Sequence, residues 1–348
     1  MRTQPIQGHG EARVAPERRH LLDVAGFDWA ALRSILDAAA ELQRAFATPG
    51  WRGEELAGRR VATLFYEAST RTRLSFEIAA RLLGAEVFTL DVATSSVGKG
   101  ESLVDTVRTL RALGVDAVVL RHDRSGAPWL AARAFEGSII NAGDGRHAHP
   151  TQALLDLFAL TRRIGAADGS LRGRRIAIVG DLLHSRVARS NLHALVAAGA
   201  EVRLSGPANL VEGFDLLAAA LSREAIERDG DRGGSARLVA SLDEALDGVD
   251  AAMALRIQRE RLEGGEVGSL EEYRRHWGLT EERLAAHAAP GALVMHPGPM
   301  NEGIEIDADV ADGPRSIVLE QVAAGVAIRA AVLARAMRGE LPPVGGGA

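Results

Sequence analysis

Phe65-Tyr66-Glu67-Ala68-Ser69-Thr70-Arg71-Thr72-Arg73-Leu74-Ser75-Phe76 is the stretch on which the reading of the chain turns. The run Val61 to Phe65 just before it is short and apolar, as a buried strand is. After it, Leu74, Ile78, Leu82 and Leu83 recur at helical spacing, which predicts a helix with those residues on its apolar face. Ser69 to Thr72 therefore fall where a strand gives way to a helix. The first N–H groups of a helix have no intrahelical partner and carry partial positive charge, so an anion is favoured there. Two hydroxyls and the fork of Arg71 add donors suited to phosphate oxygens. The plainer reading is an ordinary helix cap, since Ser and Thr also start helices. The neighbouring arginines and the strand–turn–helix setting favour phosphate.

Composition sets the outer limits. A chain of 348 residues is long for one core, so two domains are expected. Hydrophobic residues make up 47% and charged residues 25%, the mix of a globular protein. The net charge of −5 comes from 41 basic and 46 acidic side chains with no long run of one sign, which argues against nucleic acid or a membrane surface as partner. No apolar stretch reaches the ~18–20 residues of a membrane span. Residues 1–20 are too polar for a signal-peptide core, and a cytoplasmic setting is expected. The absence of cysteine excludes disulfides, thiolate catalysis and a Cys-ligated zinc.

Working outward, residues 1–19 read as a frayed arm, and Asp28 as the cap of a helix whose apolar face is Leu32, Ile35, Leu36, Ala39 and Leu42. Downstream, Glu86 to Leu90 is a strand. Thr94 to Ser102 is a small, polar, glycine-flanked loop carrying one cation, Lys99. Leu103, Val107, Leu110 and Leu113 mark a helix that Gly114 ends. The strand Val115 to Leu120 then delivers Arg121 at its C-terminal end, where open α/β sheets bind ligands. A short strand closing at Ile139-Ile140 leads to a loop and a helix opened by Pro150, with His149 and Gln152 beside its free N–H groups. His147-x-His149 invites a metal reading, but no further ligand cluster accompanies it.

Residues 165–175 read as a linker, and a second α/β unit follows. Its first strand, Arg175 to Val179, runs into Gly180-Asp181-Leu182-Leu183-His184-Ser185, which lacks the G-x-G-x-x-G spacing of a dinucleotide site. Residues 201–205, 250–255 and 292–296 are further strands, and 229–235 a flexible turn. The charged segment 259–288 reads as a partly helical loop able to close over a ligand. Residues 316–337 form a helix expected to pack back on the first domain, and a loose tail follows Glu340. Alternating strands and helices imply parallel sheets with right-handed crossovers. The two halves share that rhythm, and no sequence repeat is found. The expected division is an arm (1–19), a first α/β domain (20–164), a second (165–315) and the returning helix (316–338).

Ser69-Thr70-Arg71-Thr72-Arg73 in this setting resembles the carbamoyl phosphate signature of the aspartate/ornithine carbamoyltransferase family. Gly143-Asp144-Gly145, followed by His149-Pro150-Thr151-Gln152, resembles the family's second signature, and the likeness extends over about residues 20–338. The resemblance implies two α/β domains, binding carbamoyl phosphate and the amino acid respectively, in a homotrimer with active sites between subunits. It implies carbamoyl transfer without metal, cofactor or covalent intermediate. Ser69, Thr70, Arg71 and Thr72 would hold the phosphate; Thr72, Arg121 and His149 would donate to the carbonyl oxygen. Gln152 and the Pro297-Gly298 segment would orient the carbamoyl nitrogen. Ser96 and Lys99 match a loop that reaches into the neighbouring subunit's site. Arg186 matches the family's arginine for an amino-acid carboxylate, and Arg256-Ile257-Gln258-Arg259-Glu260-Arg261 matches a segment that adds Arg256 and Gln258.

Charge then selects the acceptor. Two carboxylates need cations, which Arg186 and Arg256 supply; ornithine-type relatives carry a cysteine in an H-C-L-P segment, where this chain has His296-Pro297-Gly298-Pro299. The implied acceptor is aspartate. One departure stands out: Glu302 follows where many aspartate-type relatives have an arginine, and is expected to point away or to pair with one. Relatives act as trimers alone or join regulatory chains or a dihydroorotase. The competing readings are a transcarbamoylase with another acceptor, a catalytically silent scaffold and a nicotinamide-dependent oxidoreductase.

Overall fold

The computed structural model describes residues 19–90, 92, 100–230, 233–257 and 269–342. Its frame is two parallel sheets. The first contains β1 (Arg60–Phe65), β2 (Glu86–Leu90), β3 (Ala117–His122) and β4 (Ser138–Asp144), in the order β2-β1-β3-β4. The second contains β5 (Arg175–Val179), β6 (Glu201–Ser205), β7 (Ser235–Leu238), β8 (Ala251–Ala254) and β9 (Leu293–Met295), in the order β7-β6-β5-β8-β9. Ala-Val-Val-Leu of β3 and Ala-Ala-Met-Ala of β8 are buried without alternation, because helices cover both faces of such sheets.

The helices of the first half are α1 (Trp29–Phe46), α2 (Thr70–Leu82), α3 (Leu103–Ala112), α4 (Ala127–Ala134) and α5 (Pro150–Ile164). Those of the second are α6 (Arg186–Ala197), α7 (Phe214–Asp229), α8 (Leu242–Leu246), α9 (Leu270–Trp277), α10 (Glu281–His287) and α11 (Ala308–Ala311). The last, α12 (Val318–Arg338), packs on α1, α2 and α5, while α5 also packs on α6. One apolar cluster runs through all of these, from Leu32 and Phe76 by way of Leu154 and Ile328 to Leu192 and Ile178.

Both sheets wind outward in two directions from a central strand. β1 has β2 on one side and β3 on the other, and Phe65 lies opposite Arg121 at the C-terminal edge. β5 likewise sits between β6 and β8, with Val179 opposite Ala254. Each reversal opens a crevice beyond the strand ends, the place where such sheets take ligands.

At the opposite edge the structure corrects the expectation that no repeat exists. Gly58-Arg59-Arg60-Val61-Ala62 and Gly114-Val115-Asp116-Ala117 recur as Gly173-Arg174-Arg175-Ile176-Ala177 and Gly248-Val249-Asp250-Ala251. In the first pair the Arg60 N–H donates to Asp116 Oδ2 at 2.9 Å, and Arg59 Nη1 lies 3.5 Å from Oδ1. In the second the Arg175 N–H donates to Asp250 Oδ2 at 2.8 Å, and Arg174 Nη1 lies 3.2 Å from Oδ1. Gly114 and Gly248 have positive φ, and a Cβ there would meet the Arg60 and Arg175 guanidinium nitrogens at 2.7 and 2.6 Å.

Other expectations shift as well. α2 buries Phe76, Ala79 and Ala80, whereas Leu74 and Ile78 are 52% and 39% exposed, so the apolar face predicted for this helix is rotated. The turn at 229–235 is followed by an edge strand, β7, that the sequence pattern does not predict. β4 continues past Ile140 to Asp144, carrying the backbone towards His149.

Candidate active site

Residues from both halves line one cavity of about 640 Å3 between the two crevices. Ser69, Thr70, Arg71 and Thr72 come from the start of α2, Arg121 from the end of β3, and His149 and Gln152 from the start of α5. Arg186 opens α6, Arg256 follows β8, and Pro297 and Gly298 follow β9. Ser96, Lys99 and Gln258 lie outside the described residues.

Six of the described helices are capped by the side chain that precedes them. Asp28, Ser102, Ser185, Ser241, Ser269 and Thr280 each accept a backbone N–H of their own helix. Ser69 occupies the same position before α2, yet its hydroxyl caps nothing, and neither does the His149 side chain before α5. At α2 this leaves the Ser69 hydroxyl and the first N–H groups, on residues that line the cavity, without a cap, whereas at α5 Pro150 has no N–H and the Gln152 N–H donates to the His149 carbonyl at 3.0 Å. That weighs against the ordinary-cap reading.

The cations fall into two groups. Arg71 lies against the loop after β9, where a Cβ on Gly298 would meet its Nη2 at 2.7 Å; only glycine, here at φ +63°, allows that approach. Among the described residues no carboxylate pairs with Arg71 or Arg256. Arg121 and Arg186 instead share one acid. Glu67 Oε2 lies 3.2 Å from Arg121 Nε and 2.7 Å from Arg186 Nη2, joining the end of β3 to the start of α6. Arg186 Nη1 also donates to the Gly145 carbonyl at 3.2 Å. Burial, then the neighbouring Arg186, lower the Arg121 pKa to about 10, with Glu67 opposing, so it stays charged at neutral pH.

His149 is fully enclosed. Its backbone N–H donates to Ser190 Oγ at 2.9 Å, and its Nδ1 is buried without a partner. Burial first, then Arg121, Arg186 and Arg329, hold its pKa well below the usual imidazole range. It is therefore neutral, with one ring nitrogen a donor and the other an acceptor. His147 is turned elsewhere, with Nδ1 3.2 Å from Asp144 Oδ2 and Nε2 3.4 Å from Asp23 Oδ2. The loop after β9 is fixed from behind by His296, whose Nδ1 accepts the Gly298 N–H at 2.8 Å. Glu302 is exposed and does not line the cavity.

The cavity thus offers the uncapped start of α2, five arginines (Arg71, Arg121, Arg186, Arg256 and Arg329) and a neutral imidazole. That suits an anion whose charge shifts during reaction more than it suits a nucleotide base or an apolar ligand. Two family models match the chain. Residues 19–162 match the carbamoyl-P binding domain of aspartate/ornithine carbamoyltransferase, and residues 172–336 match its Asp/Orn binding domain. The chain belongs to the aspartate/ornithine carbamoyltransferase family. Membership makes it a carbamoyltransferase.

An aspartate carbamoyltransferase catalytic subunit from Gluconobacter oxydans is 49% identical over 334 residues, 94% of this chain and 99% of the relative. An aspartate transcarbamoylase from Trypanosoma cruzi, solved with carbamoyl phosphate and aspartate, superposes with a TM-score of 0.80 at 30% identity, covering 93% of this chain and 96% of that one. An ornithine carbamoyltransferase from Pyrococcus furiosus gives the same TM-score of 0.80 at 27% identity, covering 92% and 97%. Backbone likeness therefore does not discriminate between acceptors; side chains must. No described helix is long and apolar enough to cross a membrane.

Glu67 is the site residue that sequence reasoning passes over. Its signal is present, an acid two residues before the anion loop. An acid in a site built for anions looks incidental until both of its arginine partners are in view.

Proposed function

We propose that the chain transfers the carbamoyl group of carbamoyl phosphate to the amine of L-aspartate, giving N-carbamoyl-L-aspartate and phosphate. The observation that carries this reading is the convergence of Arg71 and the uncapped start of α2 with Arg186 and Arg256 on one cavity. Phosphate binds Ser69, Thr70, Arg71 and Thr72. Thr72, Arg121 and neutral His149 donate to the carbonyl oxygen, where negative charge grows as the amine attacks. Gln152 and the Pro297 carbonyl accept from the carbamoyl nitrogen. Arg186, Arg256 and Gln258 hold the aspartate carboxylates and set its amine over the carbonyl carbon. Glu67 occupies Arg186 until a substrate carboxylate takes its place.

The reading includes a cytoplasmic homotrimer in which Ser96 and Lys99 of a neighbouring copy complete each phosphate site, free to join regulatory chains or a dihydroorotase. The roles need no metal or cofactor. The test is carbamoyl aspartate formation by the purified chain from carbamoyl phosphate and L-aspartate, with L-ornithine as control acceptor. Product with aspartate alone is expected. Product with ornithine would overturn the acceptor assignment, and no product with either would favour the silent scaffold.

A further inference from the structure

Beneath the cavity lies a carboxylate that these roles leave unused. Asp156, on α5, is wholly buried. Its Oδ1 accepts from Gln152 Nε2 at 2.9 Å and from Gln321 Nε2 at 2.7 Å, and its Oδ2 accepts from Asn191 Nδ2 at 2.8 Å. Three amides from α5, α12 and α6 thus converge on one acid. Burial raises the Asp156 pKa to about 6 while the three amides and Arg329 pull it down, so it is ionised at neutral pH. An ionised carboxylate only accepts hydrogen bonds, so each amide must turn its nitrogen towards it.

For Gln152 this fixes which end meets the ligand. With Nε2 held by Asp156, the atom left for the cavity is Oε1, an acceptor. The same acid acts on the second acceptor as well. Gln321, its nitrogen held by Asp156, uses Oε1 to accept the His296 N–H at 3.2 Å, at the root of the Pro297 segment.

We propose that Asp156 is the positioning residue for carbamoyl selectivity, locking Gln152 with its oxygen towards the ligand so that the site reads an –NH2 group. This rests on the reading of Gln152 as a carbamoyl contact. A free glutamine would present donor or acceptor alike. A locked one rewards a ligand that donates and leaves a buried acceptor unmet by one that cannot.

The probe is acetyl phosphate, which has a methyl group in place of the amide. In the wild type its inhibition constant against carbamoyl phosphate should exceed the carbamoyl phosphate KM by about tenfold or more. Absence of that preference would remove the Gln152 contact itself, and the inference with it. Asp156→Asn should keep the preference: its Oδ1 can still face Gln152 and Gln321, and its nitrogen can donate to Asn191 once that amide turns its Nδ2 away and presents Oδ1, which is otherwise buried without a partner. Asp156→Asn combined with Gln321→Glu keeps volume and net charge but reverses the polarity. The introduced carboxylate on α12 draws the nitrogen of the introduced amide on α5 towards itself. Gln152 must then answer with its oxygen and turn its nitrogen to the ligand. The carbamoyl phosphate KM should rise about tenfold while the acetyl phosphate constant stays within about twofold. Equal losses for both ligands would indicate a merely structural role, and retained preference would show that Gln152 is not locked; either result overturns the proposal. Should the double variant not fold, Asp156→Ala, which frees the amide, must show the same one-sided loss, and an even-handed loss or none there overturns it equally.

Discussion

Arg71 is the residue on which the proposed phosphate half of the site depends. It lacks a carboxylate partner among the described residues and sits at an uncapped helix start. Arg71→Ala should lower kcat/KM for carbamoyl aspartate formation on the order of a thousandfold while leaving thermal stability near wild type. Full activity in that variant would refute the phosphate assignment. Ser69, Arg71, Arg121, His149 and Gln152 can be singled out in the sequence because each sits at a strand end or helix start, positions that local pattern reveals. Glu67 and Asp156 cannot. Their meaning lies in partners far along the chain: Arg186 is 119 residues from Glu67, and Gln321 is 165 from Asp156.

Elements are legible where they are long and buried, and less so at edges. β1, β2, β5 and β6 stand where apolar runs place them. β7 is four residues of an edge strand, half of them exposed, and carries too little pattern to be seen. The face of α2 is misread from its apolar spacing because its buried side is largely Ala, Ser and Thr, while Leu74 and Ile78 point outward. The described N-terminal segment is tied to β4 by backbone hydrogen bonds of Leu21 and by one titratable side chain. His20 Nδ1 accepts the Ile139 N–H of β4 at 3.1 Å, and Leu21 bridges to Ile140 beside it. Burial, with Arg19 adding, lowers the His20 pKa from 6.5 to about 4. Between those values the unfolded chain binds the proton and the folded one does not, so stability falls as pH falls through that window. By pH 5 this histidine alone should account for about 2 kcal/mol of lost stability. Denaturant titrations of wild type and His20→Gln at pH 7 and pH 5 should show a smaller acid loss in the variant. That comparison separates His20 from His149 and Asp156, which titrate in both proteins. An equal loss would put the acid sensitivity elsewhere.

At the scale of the whole molecule, the proposed homotrimer has a direct test in the position of Lys99. If Lys99 enters from a neighbouring copy, two inactive proteins can repair each other. Arg71→Ala and Lys99→Ala trimers, dissociated, mixed equally and reassembled, would yield mixed rings that each hold one native site. Random reassortment then restores about one quarter of wild-type activity. Activity no greater than the sum of the two parents would place Lys99 in its own chain's site, or in none.

The duplicated brace of Arg-Arg against Asp has a mechanical side. In both sheets it fastens the central strand to its neighbour at the edge remote from the cavity, through Asp116 in one and Asp250 in the other. A plate clamped along one margin bends most at the other. On that picture the margin that would yield more is the one whose residues Arg71, Arg121, Arg186 and Arg256 line the cavity. Glu67 is the lone protein carboxylate that bridges Arg121 and Arg186 across that margin among the described residues. A dianion bound between the arginines, as proposed, would add a further clamp at that margin and act as a structural member while it stays.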